Sequence, residues 1–197
     1  MKIYILRHED RTSDATMFSP LTKEGLNNSV KLISFLDKLK IDIIYSSPFI
    51  RTLQTIQPFS KHNNNMKINL EYSLSEIKHP HLIPEKSYDV ALPTYIAESF
   101  NYNENYKTLL EPEQMKYPEN DKDVLNRSRV FLNKIMNDYA NTKKNILIVT
   151  HQVVCNSLLK LATKGDKDVN IQFTDKYPKG CITLIWDTKE WDFERIN

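Results

Sequence analysis

The chain has 197 residues, of which 40% are hydrophobic and 26% are charged, and its formal net charge is +2. These values are ordinary for a globular protein, and the length is sufficient for one core, so we expect residues 1–197 to form a single domain. So small a net charge, with no run of Lys or Arg, argues against nucleic acid and against an anionic membrane surface as partners.

The apolar runs of the sequence have the length of strands. Ile146–Val149 is one of the longest, whereas a helix that spans a membrane needs about 20 apolar residues. The first six residues are followed by the charged Arg7 and lack the apolar core and the cleavage site of a signal peptide. The sequence therefore predicts a cytoplasmic protein without a membrane partner.

Residue types that bind cofactors and metals have no recognisable spacing. The three glycines of the chain exclude a nucleotide-binding glycine loop. Cys155 and Cys181 lack a partner cysteine at metal-ligand spacing and are interpreted as reduced thiols. His62, His79 and His81 form no metal pattern. We therefore expect neither a cofactor nor a metal site.

Strands and helices are predicted to alternate along the chain. Apolar runs predict strands at residues 2–6, 41–45, 67–71, 145–150 and 180–186, and periodicity predicts helices at 22–40, 49–60, 121–139 and 152–163. In the first helix, four apolar residues at helical spacing predict one buried face: Leu26, Val30, Ile33 and Leu36. The alternation favours an α/β fold, a three-layer α/β/α sandwich with a mostly parallel central sheet.

Residues 77–118 differ in composition from the rest of the chain. They hold five of the nine prolines and show no clear periodicity. We interpret them as a loop-rich insertion with one short helix. Because long insertions in compact domains are often functional, we expect this segment to determine substrate specificity.

Polar clusters end three of the predicted strands. Arg7 and His8 end the first strand, residues 46–48 end the second with Arg51 one helical turn later, and His151 ends the fourth. Ligands of such sheets bind beyond the carboxyl ends of the strands. If these strands are parallel neighbours, two histidines and two arginines converge on one pocket.

These residue types suit phosphoryl transfer. Guanidinium groups are planar and permanently charged and match the oxygens of a phosphate group. A neutral imidazole can attack phosphorus and form a covalent intermediate, and a second imidazole can hydrogen-bond the oxygens over which charge spreads. The positive charge of Arg7 beside His8 keeps the attacking imidazole deprotonated near neutral pH.

The same segments resemble the motifs of the histidine phosphatase (phosphoglycerate mutase-like) superfamily. Arg7 and His8 are similar to its Arg-His-Gly motif, and residues 21–25 are similar to its Leu-Thr-x-x-Gly motif. Residues 46–55 are similar to its Ser-Ser-Pro-x-x-Arg-x-x-Gln-Thr motif, and residues 119–127 are similar to its Glu-Ser-x-x-Asp-x-x-x-Arg motif. Residues 148–151 resemble the strand that delivers its second histidine. The motifs occur in family order and span almost the whole chain. The resemblance implies a phosphoglycerate mutase-like fold and a chemistry that needs no metal.

The resemblance also implies roles for individual residues. His8 corresponds to the phosphoacceptor, and Arg7, Arg51 and His151 correspond to the phosphate pocket. Residues 74–76 resemble the Leu-x-Glu of the family, which makes Glu76 the candidate proton donor to the leaving oxygen and the later activator of water. The implied substrate is a phosphorylated small molecule or a phosphoprotein.

Three further positions bear on the resemblance. Glu9 and Gln152 stand where the family has glycine, after the first and after the second histidine, and a side chain at either place can crowd the pocket. Residues 7–11 resemble the Arg-His-Gly-Glu-Arg form of a tyrosine-phosphatase-like branch. That similarity implies that Arg11 is a third cation facing the phosphate.

The leading hypothesis is a phosphomonoester hydrolase that forms phosphohistidine at His8. Two alternatives remain open. A mutase of the phosphoglycerate type would return the phosphoryl group to a sugar acid, and a non-catalytic module would bind phosphate without turnover. The second alternative rests on Glu9 and Gln152. The sequence does not determine the natural substrate or the oligomeric state.

Overall fold

The computed structural model describes residues 1–14, 16–83, 90–162, 180, 182–187 and 190–195. Its strands are β1 Lys2–Arg7, β2 Ile43–Ser46, β3 Ile68–Leu70, β4 Asn145–Thr150, β5 Ile182–Asp187 and β6 Glu190–Arg195. Its α-helices are α1 Lys23–Lys31, α2 Ile33–Leu39, α3 Ile50–His62, α4 Thr94–Glu98, α5 Asp121–Tyr139 and α6 Gln152–Ala162. In this part of the chain, no helix is both long enough and apolar enough to cross a membrane.

The strands form one sheet in the order β3-β2-β4-β1-β5-β6. The four strands β3, β2, β4 and β1 are parallel to one another, and β5 and β6 are antiparallel additions. The register pairs Arg7 with Thr150 and Ser46 with Val149. The carboxyl ends of β1, β4 and β2 are therefore level, which is the arrangement that the sequence predicted for the polar clusters.

Successive side chains of the central strands contribute to two hydrophobic cores, one on each face of the sheet. In β1, Ile3 and Ile5 pack with residues of α5 and α6 on one face, and Tyr4 and Leu6 pack with residues of α2 and α3 on the other. Side chains of a strand alternate between faces, so a strand covered on both sides is apolar throughout. The result is the predicted α/β/α sandwich with a mostly parallel sheet.

The prediction of the first helix is wrong in two respects, its continuity and its buried face. Residues 22–40 form two helices, α1 and α2, joined at Leu32. Leu26 and Val30 are 44% and 56% exposed, because α1 turns Gly25 and Ser29 inward instead. A Cβ at Gly25 would lie 2.1 Å from the carbonyl oxygen of Asp10. The close approach of the loop after β1 therefore selects the face with small residues.

Elsewhere the predicted boundaries differ by a few residues. The structure has α5 and β4 at the predicted residues. Strand β6 was not predicted. Residues 190–195 alternate between charged and aromatic side chains and include no aliphatic residue, so they form no apolar run. Thr163, at the predicted end of the last helix, and Cys181 lie outside the described residues, as does the segment 84–89 of the insertion.

The described part of the insertion contains α4 and a short 3-10 turn at Pro112–Gln114, in agreement with a loop-rich segment. It is fastened to the end of β3 by Glu71, whose buried carboxylate accepts hydrogen bonds from Tyr106 Oη at 2.6 Å and Thr108 Oγ1 at 2.9 Å. The same carboxylate accepts the backbone N–H of Ser73 at 2.9 Å. Glu71 thus connects the insertion to the segment that leads to Glu76.

Candidate active site

Backbone hydrogen bonds continue the sheet beyond the strand ends. The N–H of His8 donates to Thr150 O at 3.0 Å, and the N–H of Ser47 donates to Val149 O at 3.0 Å. Three side chains from distant parts of the sequence, those of His8, Ser47 and His151, are therefore fixed at one edge. The rings of His8 and His151 form an edge-to-face pair with centroids 5.3 Å apart.

His8 is buried and held as a neutral imidazole. Its Nδ1 lies 2.7 Å from the carbonyl oxygen of Glu9, and because a carbonyl only accepts, Nδ1 carries the proton and Nε2 keeps its lone pair. Burial, and after it the charges of Arg51, Arg7 and Arg11, together lower the pKa of His8 to about 3, although the hydrogen bond to Glu9 O opposes the shift. At neutral pH the ring therefore has a free lone pair on Nε2 and can act as a nucleophile.

His151 is fully buried between three groups. Its ring packs edge-to-face on Phe49 at 4.8 Å, its Nε2 lies 2.8 Å from Ser47 Oγ, and its Nδ1 lies 3.8 Å from Glu76 Oε2. Burial and then the charge of Arg51 hold the pKa of His151 well below its usual value. This ring is neutral too, so one of its nitrogens is a donor and the other an acceptor.

Among the residues that the structure describes, Arg51 is the largest fully buried side chain, with 1% of its surface exposed. It stands in the first turn of α3, lies 4.6 Å from the centre of the Phe49 ring and donates to the carbonyl oxygen of Thr16 at 2.7 Å. Its Nε is buried and has no hydrogen-bond partner among the described residues. Burial lowers the pKa of Arg51 to about 10, which leaves it charged at neutral pH, while Glu76 opposes that shift. A buried cation with an unused donor is suited to an anionic ligand.

Glu76 faces His151 from the segment after β3. Its Oε1 accepts the backbone N–H of Ile77 at 3.0 Å, and its Oε2 points toward His151. Burial raises the pKa of Glu76 in spite of the opposing charge of Arg51. The segment is fixed by Thr150 Oγ1, which donates to Leu74 O at 2.6 Å. A carboxyl group with a raised pKa at this position can act as a proton donor.

Arg7 and Arg11 complete the positive charge around His8. Arg7 ends β1 next to His8, and the charges of both arginines contribute to the low pKa of that ring. Arg11 Nη1 donates to Thr12 O at 2.6 Å, and the backbone of Arg11 pairs with Leu21. The four cationic and imidazole residues predicted to converge do so, with Arg11 within electrostatic reach.

Glu9, which replaces a family glycine, turns its side chain toward β5. A Cβ at Gly180 would lie 1.8 Å from Glu9 Oε1, and Gly180 has a φ of +64° and donates its N–H to Arg7 O at 3.1 Å. Because β5 and β4 lie on opposite sides of β1, this carboxylate is directed away from His151. Gln152 folds along α6, where its Nε2 donates to Asn156 Oδ1 at 2.8 Å.

Several residues of the site were not assigned a role from the sequence. Phe49 packs against both His151 and Arg51, and Thr55 Oγ1 accepts the N–H of Glu9 at 3.0 Å. Gln54 Oε1 accepts the N–H of Leu21 at 2.7 Å. All three belong to the segment 46–55 that matches a family motif, and that match was the available signal.

Among the described residues, no group of three or more His, Cys, Asp and Glu side chains could hold a metal ion. The site instead offers two neutral imidazoles, buried positive charge and one carboxyl group. Such an arrangement can bind a tetrahedral oxyanion, attack its central atom and protonate a departing oxygen.

Comparison with known proteins identifies relatives of the fold. A family model described as histidine phosphatase superfamily (branch 1) matches residues 3–197. No curated protein sequence matches the chain significantly.

Solved structures resemble the chain over nearly its whole length. The YhfR protein of Bacillus stearothermophilus is 20% identical with a TM-score of 0.70, covering 98% of this chain and 95% of that one. The ecdysone phosphate phosphatase of Bombix mori, in complex with tungstate, is 18% identical with a TM-score of 0.67 and coverages of 98% and 91%. A phosphoglycerate mutase of Bacillus anthracis is 15% identical with a TM-score of 0.66 and coverages of 100% and 92%. At these identities the likeness establishes the fold alone.

Proposed function

The chain belongs to branch 1 of the histidine phosphatase superfamily, and we propose that it hydrolyses phosphate monoesters through a phosphohistidine formed at His8. The observation that carries the proposal is the state of the His8 ring. It is neutral, its Nδ1 is anchored to Glu9 O, and the charge of the buried Arg51 acts on it directly. Nε2 is therefore an available nucleophile beside a cation that suits phosphate.

In the first step, His8 Nε2 attacks phosphorus and the bond to the leaving oxygen breaks. Arg51, Arg7 and Arg11 hold the oxygens of the phosphoryl group, and His151 donates to one of them. Glu76 gives its proton to the leaving oxygen, so that the alcohol departs neutral. The raised pKa of Glu76 supports this role, because the group must be protonated before the step.

In the second step, the Glu76 carboxylate takes a proton from water, and the oxygen of that water attacks phosphorus. The bond between phosphorus and Nε2 breaks, inorganic phosphate leaves, and both His8 and Glu76 return to their starting states. We propose a phosphorylated small molecule or a phosphoprotein as substrate. Selection between them belongs to the insertion 77–118, which is connected through Glu71 to the segment of the proton donor.

The proposal is tested with a chromogenic phosphate ester. We expect wild-type protein to release inorganic phosphate and His8→Ala to lose turnover by on the order of a thousandfold or more, because the covalent route is removed. His62→Ala, which changes an exposed histidine at the opposite end of α3, is the matched control and should keep the wild-type rate. Equal rates for wild type and His8→Ala would contradict the proposal and favour a module that binds phosphate without turnover. Transfer between the carbons of phosphoglycerate without phosphate release would indicate a mutase.

A further inference from the structure

Ser47 has no part in the steps above, although it touches His151. Its side chain is fully buried, and its Oγ lies 2.8 Å from His151 Nε2. Its second contact is with the backbone N–H of Phe49, at 3.4 Å. Within the described part of the chain, these two groups are the hydrogen-bond neighbours of Ser47 Oγ.

The direction of the hydrogen bond between Ser47 and His151 follows from these contacts. The N–H of Phe49 can only donate, so it cannot receive the hydroxyl hydrogen of Ser47. His151 Nε2 is then the acceptor that satisfies this buried hydroxyl, and buried polar hydrogens are nearly always satisfied. An Nε2 that accepts is unprotonated, and in a neutral imidazole the proton must be on Nδ1.

Nδ1 is the ring nitrogen of His151 that lies on the side of Glu76. It is buried and makes no hydrogen bond within the described residues, and it lies 3.8 Å from Glu76 Oε2. That separation is too long for a direct hydrogen bond, but one oxygen atom at about 2.8 Å from each can contact both groups. A donor at Nδ1 therefore points to the place where a phosphoryl or leaving oxygen meets the proton of Glu76.

We propose that Ser47 is a positioning residue that donates to Nε2, holds His151 in its Nδ1–H form and thereby directs that N–H at the phosphoryl group beside Glu76. The same form serves both chemical steps. While Glu76 is protonated, Nδ1–H donates to the phosphoryl group, and once Glu76 has lost its proton, Nδ1–H can also stabilise the carboxylate. This role rests on the proposed function, whereas the protonation pattern of the ring does not.

The pattern is tested first on resting wild-type protein without substrate. Nitrogen NMR of the protein labelled with 15N-histidine distinguishes protonated from unprotonated ring nitrogens, and loss of one set of signals in His151→Gln assigns the residue. We expect His151 to be protonated at Nδ1. Protonation at Nε2 would overturn the inference even if the protein is an active phosphatase, and the experiment gives its answer even if it is not.

The role is tested with Ser47→Ala. We expect His151 to lose its single protonated form and kcat for an alkyl phosphate to fall by about tenfold or more, as when the group that orients an active histidine is removed. Ser60→Ala is the control, because Ser60 is also fully buried and also makes one hydrogen bond, to Met66 O at 2.7 Å, at the remote end of α3. Its kcat should be that of wild type. A Ser47→Ala enzyme with unchanged kcat and an unchanged ring spectrum would refute the assignment.

Discussion

Arg127 and Glu119 form a buried ion pair that holds the segment of Glu76, the proposed proton donor. Arg127 Nε donates to Glu119 Oε1 at 2.7 Å and Nη2 donates to Oε2 at 3.1 Å, with side-chain exposures of 5% and 2%. Both partners also hold the segment that carries Glu76: Arg127 Nη1 donates to Ser73 O at 2.6 Å, and Glu119 Oε2 accepts the N–H of Lys78 at 2.8 Å. The pair thus fixes the backbone on both sides of Glu76.

Replacement of Arg127 should therefore affect stability and activity together. We expect Arg127→Met to lower the free energy of unfolding by about 3–5 kcal/mol, because Glu119 would be left buried without its partner. The kcat should also fall, because residues 73–78 lose their support. Urea denaturation and steady-state kinetics measure the two effects. Arg129→Ala, on the exposed face of the same helix, should change the free energy by no more than about 0.5 kcal/mol.

The role of Glu76 predicts a dependence on the leaving group. Glu76→Gln should lose most of its kcat/KM for alkyl phosphates, whose leaving oxygen needs a proton, and much less for nitrophenyl phosphate, whose anion departs unaided. Since the same carboxylate activates water, the variant should release nitrophenol in a burst equal to the enzyme concentration, followed by slow turnover. Rapid-mixing kinetics detect the burst. An equal loss for both substrates would contradict the role as acid.

The pKa of Glu76 also determines the alkaline side of the pH profile. Because burial raises this pKa, the protonated form persists to higher pH than for an exposed glutamate and is lost as the pH rises through the raised value. We expect kcat/KM of wild type for an alkyl phosphate to fall on that side. In Glu76→Gln this limb should be absent, since no carboxyl group remains to titrate. A limb of unchanged position in the variant would assign it to another group.

The residues of this site that follow directly after a strand could be predicted from the sequence. His8 and His151 follow apolar runs that read as buried strands, and parallel pairing then brings their rings together. The contact of Ser47 with His151 is different. It joins residues 104 positions apart, and no local pattern states which hydroxyl will meet which ring nitrogen.

Tertiary packing, and not hydrophobic periodicity, determines which face of α1 is buried. The spacing of Leu26 and Val30 is that of a buried stripe, yet Gly25 faces inward because only a residue without a side chain fits against Asp10 O. Likewise, Glu9 in place of glycine predicts crowding of the pocket. The space that receives it is provided by Gly180, a residue 171 positions later that no local reading connects with it.

The protonation state of His8 predicts a loss of stability in mild acid. Its pKa is about 3 in the folded protein and about 6.5 in the unfolded chain. At a pH between these two values, the unfolded state binds a proton at this histidine and the folded state does not. The free energy of unfolding therefore decreases as the pH falls below about 6.5. For this one group, the decrease is at most about 1.4 kcal/mol per pH unit. His151, whose pKa is also lowered, adds to the loss in the same direction.

This pH dependence is measured by urea denaturation between pH 7 and pH 4. We expect His8→Asn, whose amide can still donate to Glu9 O, to reduce the slope, because one titrating group is removed. Ser60→Ala removes no titrating group and should leave the slope as in wild type. Equal slopes for wild type and His8→Asn would mean that His8 is protonated to a similar degree in both states.

Glu9 and Gly180 should behave as a coupled pair. In Gly180→Ala, the new Cβ would overlap Glu9 Oε1, and the φ of +64° costs an L-residue about 1–2 kcal/mol. The displaced Glu9 carries the carbonyl that anchors His8 Nδ1, so we expect both stability and kcat to fall. Glu9→Gly alone should retain turnover, because its side chain is directed away from His151. The double variant should recover kcat and most of the stability, except for the cost of the φ angle. A double-mutant cycle in which the two changes simply add would show that Gly180 does not accommodate Glu9.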